Sequence, residues 1–239
     1  MTTGPAPAVT VVIPVYNEAK IVRGALEELA RRLDTLGWDY ELLLTENGSR
    51  DGTQQIIEAL AAAMPRLRAL HTAEPNYGKA LKRGILEARG EVVICDEIDL
   101  CDVDFYQRAL PLLSTGADLV VGSKAMPGAD DARPWLRRFA TRVINLLLRL
   151  ATGFKGTDTH GLKAFKRERL VPVAQACAID RDLFASEFVI RAARMGREVR
   201  EIPIRLQEKR PPSVNLFRRV PRVLRGLFKL GWTIRIRHR

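Results

Sequence analysis

Short apolar, β-branched runs alternate with amphipathic stretches along the first half of this 239-residue chain, and that alternation narrows its possible folds more than any other feature. Residues 9–15 read as a buried parallel strand, with Pro14 near its end, where a missing N–H is tolerated. Residues 19–36 then carry Ile21, Leu26, Leu29 and Leu33 at three- and four-residue intervals, the period of a one-sided helix. The pattern recurs, with strands expected at 40–44, 67–72 and 91–95 and helices at 51–63 and 79–88. Such spacing predicts βαβ units, a mainly parallel sheet, and right-handed crossovers that put helices on both of its faces. Further on, 117–121 and 199–206 read as strands, and 135–150 and 184–195 as helices. Sheets of this kind bind ligands beyond the carboxyl ends of their strands.

Each of the first four ends carries polar chemistry. Tyr16-Asn17-Glu18 follows the first strand, Glu46-Asn47-Gly48-Ser49 the second, Asn76-Tyr77-Gly78 the third and Cys95-Asp96-Glu97-Ile98-Asp99-Leu100 the fourth. The last places three carboxylates within four residues, directly after an apolar run. Burying an unpaired carboxylate costs several kcal/mol, so charge here asks for a partner. A hard divalent cation, Mg²⁺ or Mn²⁺, is the partner such oxygens suit, and it would in turn clamp a diphosphate. A solvated acidic turn is the plainer alternative.

No apolar run reaches the roughly 18–20 residues of a membrane span, and the first eight residues lack the features of a secretory leader. A cytoplasmic location is expected. Cys95, Cys101 and Cys177 are odd in number and show no CxxC spacing, which argues against disulfides and structural zinc. Of the net charge of +11, eight Lys/Arg with no acidic residue fall in 216–239, leaving +3 for the rest. There Leu216, Val220, Val223, Leu224, Leu227 and Phe228 recur at helical spacing between Arg218, Arg222, Arg225 and Lys229. A basic amphipathic segment of this sort lies in a membrane interface. A boundary near Pro211-Pro212 would divide a catalytic domain, 1–212, from a membrane-associating tail, 213–239. Nucleic-acid binding is the competing reading of such charge, but no recognition motif accompanies it.

Six segments, taken in order, resemble family 2 glycosyltransferases of the GT-A fold, especially dolichol- or polyprenol-phosphate mannose synthases. They are Ile13-Pro14-Val15-Tyr16-Asn17-Glu18, Glu46 through Thr53, the acidic cluster, Val121-Gly122-Ser123-Lys124, Asp158-Thr159-His160-Gly161-Leu162-Lys163 and Phe184-Ala185-Ser186-Glu187. The resemblance implies a nucleotide-sugar pocket built from Pro14, Tyr16, Asn17, Glu18, Glu46, Asn47, Gly48, Ser49, Asn76, Gly78, Lys79 and Asp96. It puts Glu97 and Asp99 on the metal motif, with Asp96 as an alternative first ligand. Lys124, Arg137, Thr141 and Lys163 fall where relatives hold the acceptor phosphate, and Glu97, Asp99, Lys124 and Arg137 would carry the catalysis. Asp158 and His160 would lie in a loop over the sugar, and Glu187 would contact a sugar hydroxyl. The chain departs from the family at Glu46-Asn47, where two aspartates are usual, at Glu97 in place of Asp, and at Cys101, where a polar ligand often stands.

The implied activity is inverting transfer of a sugar from a nucleotide-diphosphate sugar, GDP-mannose or a UDP-hexose, to a polyprenyl or dolichyl phosphate. It would act at the cytoplasmic face of a membrane, anchored by its surface or by a partner subunit. A lipid phosphate is already ionised and needs cations, not a general base, and Lys124, Arg137 and Lys163 supply them. A sugar-hydroxyl acceptor, and a non-catalytic basic homologue, are the alternatives.

Overall fold

The computed structural model describes residues 6–131, 135–181 and 183–206 together with 226, 230 and 231, excepting the side chains of 131, 136, 137, 140 and 206. Strand β1 (Val9–Val15) leads through α1 (Val22–Thr35) to β2 (Tyr40–Asn47), α2 (Thr53–Ala63), β3 (Leu67–Thr72), α3 (Tyr77–Glu87) and β4 (Val92–Cys95). Then follow α4 (Val103–Ser114), β5 (Leu119–Ser123), β6 (Asp130–Asp131), α5 (Trp135–Thr152), β7 (Lys163–Lys166), α6 (Arg167–Ala176), α7 (Phe184–Arg194), β8 (Val199–Pro203) and β9 (Arg205–Leu206). Seven strands form the central sheet in the order β3-β2-β1-β4-β7-β5-β8. Only β7 runs against its neighbours β4 and β5. The carboxyl ends of the other six therefore share one edge.

The central strands β1, β4 and β5 are buried on both faces, which is why they read as apolar runs, whereas the edge strands β3 and β8 are only partly buried. Val11 and Ile13 of β1 pack with Leu26, Leu29 and Leu33 of α1 and with Phe105 and Tyr106 of α4. Val12, between them, points to the other side, where Leu81 and Ile85 of α3 meet Phe184 and Phe188 of α7.

Three elements lack a clear sequence signal. Helices α4 and α6 each contain an internal proline, Pro111 and Pro172, and β7 is only four residues with a lysine at either end. The expected strand at 199–206 is two pieces, β8 pairing with β5 and β9 with β6. The boundary near Pro211-Pro212 and nearly all of the tail lie outside the described residues. Leu230, however, is buried against Leu148, Ile179, Leu183 and Ile190. No described helix is long and apolar enough to cross a membrane.

Candidate active site

The loops after β1 and β2 are laced together by side-chain to backbone hydrogen bonds. Asn17 adopts a left-handed conformation (φ 55°) that asparagine tolerates better than most residues. Its N–H donates to Ser49 Oγ at 2.9 Å, and its Oδ1 accepts from the Arg50 N–H at 2.9 Å. Thr53 Oγ1 accepts from the Glu18 N–H (2.8 Å) and donates to Asp51 Oδ1, while Asp51 Oδ2 accepts from the Ala19 N–H. Ser49, Asp51 and Thr53 thus shape the backbone of 17–19, leaving Tyr16 43% exposed above the end of β1. Pro14 is in register with Thr45 within the sheet.

Beside this, Glu46 is buried and its Oε1 accepts from the Ser49 N–H at 2.6 Å, while His71 Nδ1 stands 3.5 Å from its Oε2. Gly48 has φ 71°, and a Cβ there would lie 2.8 Å from the Ala73 carbonyl oxygen, so only glycine lets the two loops meet. Asn47 Oδ1 accepts from the Asn76 N–H (2.6 Å), and Asn76 Oδ1 caps α3 by accepting from the Lys79 N–H (3.2 Å). Asn76 Nδ2 is buried with no hydrogen-bond partner among the described residues. Gly78 packs beneath the carbonyls of Asp180 and Arg181, and Lys79 pairs at the surface with Glu74.

The acidic cluster divides into a buried Asp96, an exposed Glu97 and a half-buried Asp99. Asp96 is 2% exposed. Its Oδ1 accepts from the Glu97 N–H, and its Oδ2 accepts from the Asp102 N–H (2.9 Å) and the Tyr106 hydroxyl. Burial pushes its carboxyl up to about 7, against the pull of these donors. Three internal donors reach its two oxygens, so Asp96 braces the turn, and the expected role in lining the nucleotide site or as alternative first metal ligand would have to share those oxygens. Glu97 is exposed at the rim and Asp99 half-buried two residues on. Asp102 is likewise engaged, capping α4 through the Phe105 N–H. Tyr77, the one member of the Asn76-Tyr77-Gly78 motif given no role from sequence, is 44% exposed. The protein around its hydroxyl, then Glu97, Cys95, Asp96 and Asp99, hold its phenol well above the ordinary value.

At the end of β5 lies a cationic pocket. Lys124 Nζ stands 3.7 Å from Asp158 Oδ2, and the Lys124 N–H donates to the same oxygen at 3.3 Å. Burial alone would raise the Asp158 carboxyl, but Lys124 and the His160 N–H hold it below its usual range. Lys163, 3% exposed, donates to the Gly161 carbonyl at 2.7 Å. Burial lowers its ammonium below the usual lysine range, with Cys95, Asp158, Lys124 and Glu97 all acting on its charge. Lys163 pairs with Cys95 in the sheet register, which sets the pocket beside the acidic cluster. The loop itself hangs from Glu201, whose carboxylate accepts from the Thr157 N–H (2.8 Å) and hydroxyl (2.6 Å). A glutamate inside the strand pattern of β8 was the available signal for that anchor. His160 Nδ1 faces the hydroxyls of Thr159 (3.2 Å) and Ser186 (3.5 Å).

Glu187 is placed differently from the sugar-contact expectation. It is fully buried, accepts from the N–H groups of Ala178 and Ile179 (2.7 Å to the latter), and pairs with Arg191 at 2.6 Å. It ties the loop before α7 to that helix. Thr141 is half-buried on α5, and the side chain of Arg137 lies outside the described residues.

The family model described as Glycosyl transferase family 2 matches residues 10–185. An undecaprenyl-phosphate 4-deoxy-4-formamido-L-arabinose transferase from Pseudomonas fluorescens is 31% identical over 212 residues, covering 86% of this chain and 59% of that protein. A dolichyl-phosphate beta-glucosyltransferase, ALG5C, from Trichomonas vaginalis is 29% identical over 216 residues, covering 83% and 64%. The chain spans less than two thirds of the length of these curated relatives. Among solved structures, glucosyl-3-phosphoglycerate synthase from Mycobacterium tuberculosis, in complex with Mn²⁺, UDP and glucosyl-3-phosphoglycerate, superimposes with a TM-score of 0.65. That match has 19% identity and covers 95% of this chain and 80% of the other.

Proposed function

The chain belongs to glycosyl transferase family 2, and from that premise we propose that it moves a sugar from a nucleotide-diphosphate sugar to the phosphate of a polyprenyl or dolichyl lipid. The observation that carries this reading is the pocket of Lys124 and Lys163 around Asp158, with Lys163 paired in the sheet to Cys95, the strand end that leads into Glu97 and Asp99. Two of the relatives are named for transfer to undecaprenyl or dolichyl phosphate. In the reaction the bond from the anomeric carbon to the diphosphate oxygen breaks as a bond to the lipid phosphate oxygen forms on the opposite face. The nucleoside diphosphate leaves. The lipid phosphate needs no deprotonation, so the chain's task is to orient two anions and keep them apart until attack. Lys124 suits the acceptor phosphate. Buried Lys163 would raise the local potential from behind it. Buried Glu46 and the Asn76 donor, which has no hydrogen-bond partner among the described residues, would face the nucleotide base.

Mg²⁺ or Mn²⁺ fits the residues present. Glu97 and Asp99 are hard oxygen donors at the rim, and no group of three or more candidate ligands occurs among the described residues. An ion held there would take its remaining ligands from the diphosphate and from water. Bound there, it would neutralise charge developing on the leaving diphosphate. The test is incubation with Mn²⁺, polyprenyl phosphate and labelled sugar nucleotides. Lipid-extractable label is expected with at least one donor. Label appearing only on sugar-hydroxyl acceptors, or with no acceptor at all, overturns the assignment.

A further inference from the structure

Helix α5 exposes a row of large apolar side chains that nothing described covers. Trp135, Phe139, Val143, Leu146 and Leu150 are 70%, 58%, 37%, 55% and 67% exposed. Spaced at four, four, three and four residues, they fall within an arc of about 80° on a helix of 3.6 residues per turn. Next to that arc, on one side, lie exposed Arg138, Arg142 and Arg149. Helix α5 contains no acidic residue. The opposite side of the helix is the packed one, where Leu148 meets Leu183 and Leu230.

We propose that α5 is the surface by which this protein lies on an anionic lipid bilayer, its apolar row entering the acyl boundary and its arginine row at the level of the lipid phosphates. The pattern is that of an interfacial helix: one-sided, tryptophan at one end, cationic on the flank, too charged to span. Charge argues against the other occupants. An antiparallel second copy would set each arginine row beside its own image, and either pairing would bring together subunits that each carry +11. The chain's own C-terminal residues, where described, pack on the far side through Leu230.

The placement also couples the surface to the site. From the flank that bears the arginines, Asn145 Nδ2 donates to the Thr157 carbonyl at 2.7 Å and Arg149 Nε to the Gly156 carbonyl at 3.1 Å. The next residue, Asp158, is the partner of Lys124. A phosphate gathered at the arginine row is thus one loop away from the cationic pocket. This coupling rests on the lipid-phosphate reading of that pocket; the docking surface does not.

Flotation of the full chain with vesicles of phosphatidylcholine, alone or mixed in equal parts with phosphatidylglycerol, tests it. Trp135→Gln/Phe139→Gln/Leu146→Gln, at exposed positions, is expected to lower partitioning onto the mixed vesicles by about tenfold or more. Arg138→Gln/Arg142→Gln should lower it several-fold and erase the preference for the anionic mixture. In a Trp38→Phe/Trp232→Phe background, Trp135 fluorescence should be quenched by brominated lipid. Parental binding by the apolar variant, or an unquenched Trp135, overturns the proposal. So does a parental dimer that the apolar variant converts to monomer, or loss of all binding on Arg218→Gln/Arg222→Gln/Arg225→Gln alone. Turnover on a water-soluble short-chain prenyl phosphate separates the two readings. If the apolar variant keeps parental turnover there but loses it on vesicle-borne lipid, both stand. If the parent serves neither acceptor while vesicle binding still tracks α5, the acceptor reading falls and the docking surface remains.

Discussion

The three acids after β4 have unlike fates, and substitutions should separate them. Asp96 receives an N–H at one oxygen and an N–H plus a hydroxyl at the other. An asparagine there must aim its NH₂ at one of those donors. Asp96→Asn should therefore destabilise the fold by about 1–3 kcal/mol in urea denaturation, the cost of an unsatisfied buried donor, while leaving Mn²⁺ affinity near parental. Asp99→Asn should do the opposite, leaving stability unchanged and cutting metal-dependent turnover by about 100-fold or more. Reversed outcomes would return the ligand role to Asp96. The Lys124–Asp158 pair makes a second prediction at this scale. Asp158 titrates below its ordinary value of about 3.9. A carboxyl so depressed adds stability above that value and loses it as pH falls through its lower folded value. Lys124→Met removes the strongest influence holding it down. At neutral pH it should cost about 3 kcal/mol, near the lower end for breaking a buried pair because two backbone N–H bonds remain, and the acid limb of the stability–pH curve should move to higher pH. An unmoved limb would mean the lysine contributes nothing to Asp158. The sequence showed that the acids cluster, but not which one turns inward. That depends on Tyr106, on a helix with no clear sequence signal.

Between elements, the tightest point of the site is where the loop ahead of β7 crosses the end of β5. A Cβ on Gly161 would stand 1.6 Å from the Gly122 carbonyl oxygen, while the Gly122 N–H donates to Leu162 O at 2.8 Å. Gly161→Ala must push the loop off the strand and carry Asp158 away from Lys124. Nucleotide binding, followed by thermal shift with UDP- and GDP-sugars, should survive, whereas transfer to lipid phosphate should drop by about 100-fold or more, as expected when a reacting group is misplaced by an ångström or so. Parental transfer would show that this crossing does not position the pocket. The strands and helices of the first half were legible because burial on both faces leaves a plain apolar record, and β1 and β3 match their expected bounds. Helices α4 and α6 escaped notice because Pro111 and Pro172 contradict local helix propensity and tertiary packing overrides it. The antiparallel β7 escaped because four residues ending in lysine carry no period. The motif after β2 was read as ligand chemistry, yet much of it, through Ser49, Asp51 and Thr53, builds the neighbouring loop. Glu187, expected to contact a sugar hydroxyl, is an internal strut, because its two N–H donors come from a loop no periodicity reveals.

At the scale of the molecule, the periodicity of α5 announced a one-sided helix without saying which side would be covered. Sequence alone therefore placed the membrane contact in the basic tail, where charge is densest. The structure leaves apolar surface exposed beside arginines on α5, which also holds the loop leading to Asp158. This has a consequence for ionic strength. Exposed arginines act on a charged surface through solvent, where the screening length falls from about 10 Å at 0.1 M salt to about 3 Å at 1 M. The Lys124–Asp158 pair, with side chains 13% and 0% exposed, is sheltered from those ions. Salt should then weaken the gathering of lipid substrate and spare the transfer step. Raising salt from about 0.05 M to about 0.5 M is expected to increase KM for vesicle-borne polyprenyl phosphate several-fold while kcat changes by less than about twofold. On a water-soluble prenyl phosphate, which has no bilayer to approach, the rise in KM should be much smaller. A fall in kcat that matches the rise in KM would place the salt-sensitive charges at the reacting atoms, and the division of labour between α5 and the pocket would fail.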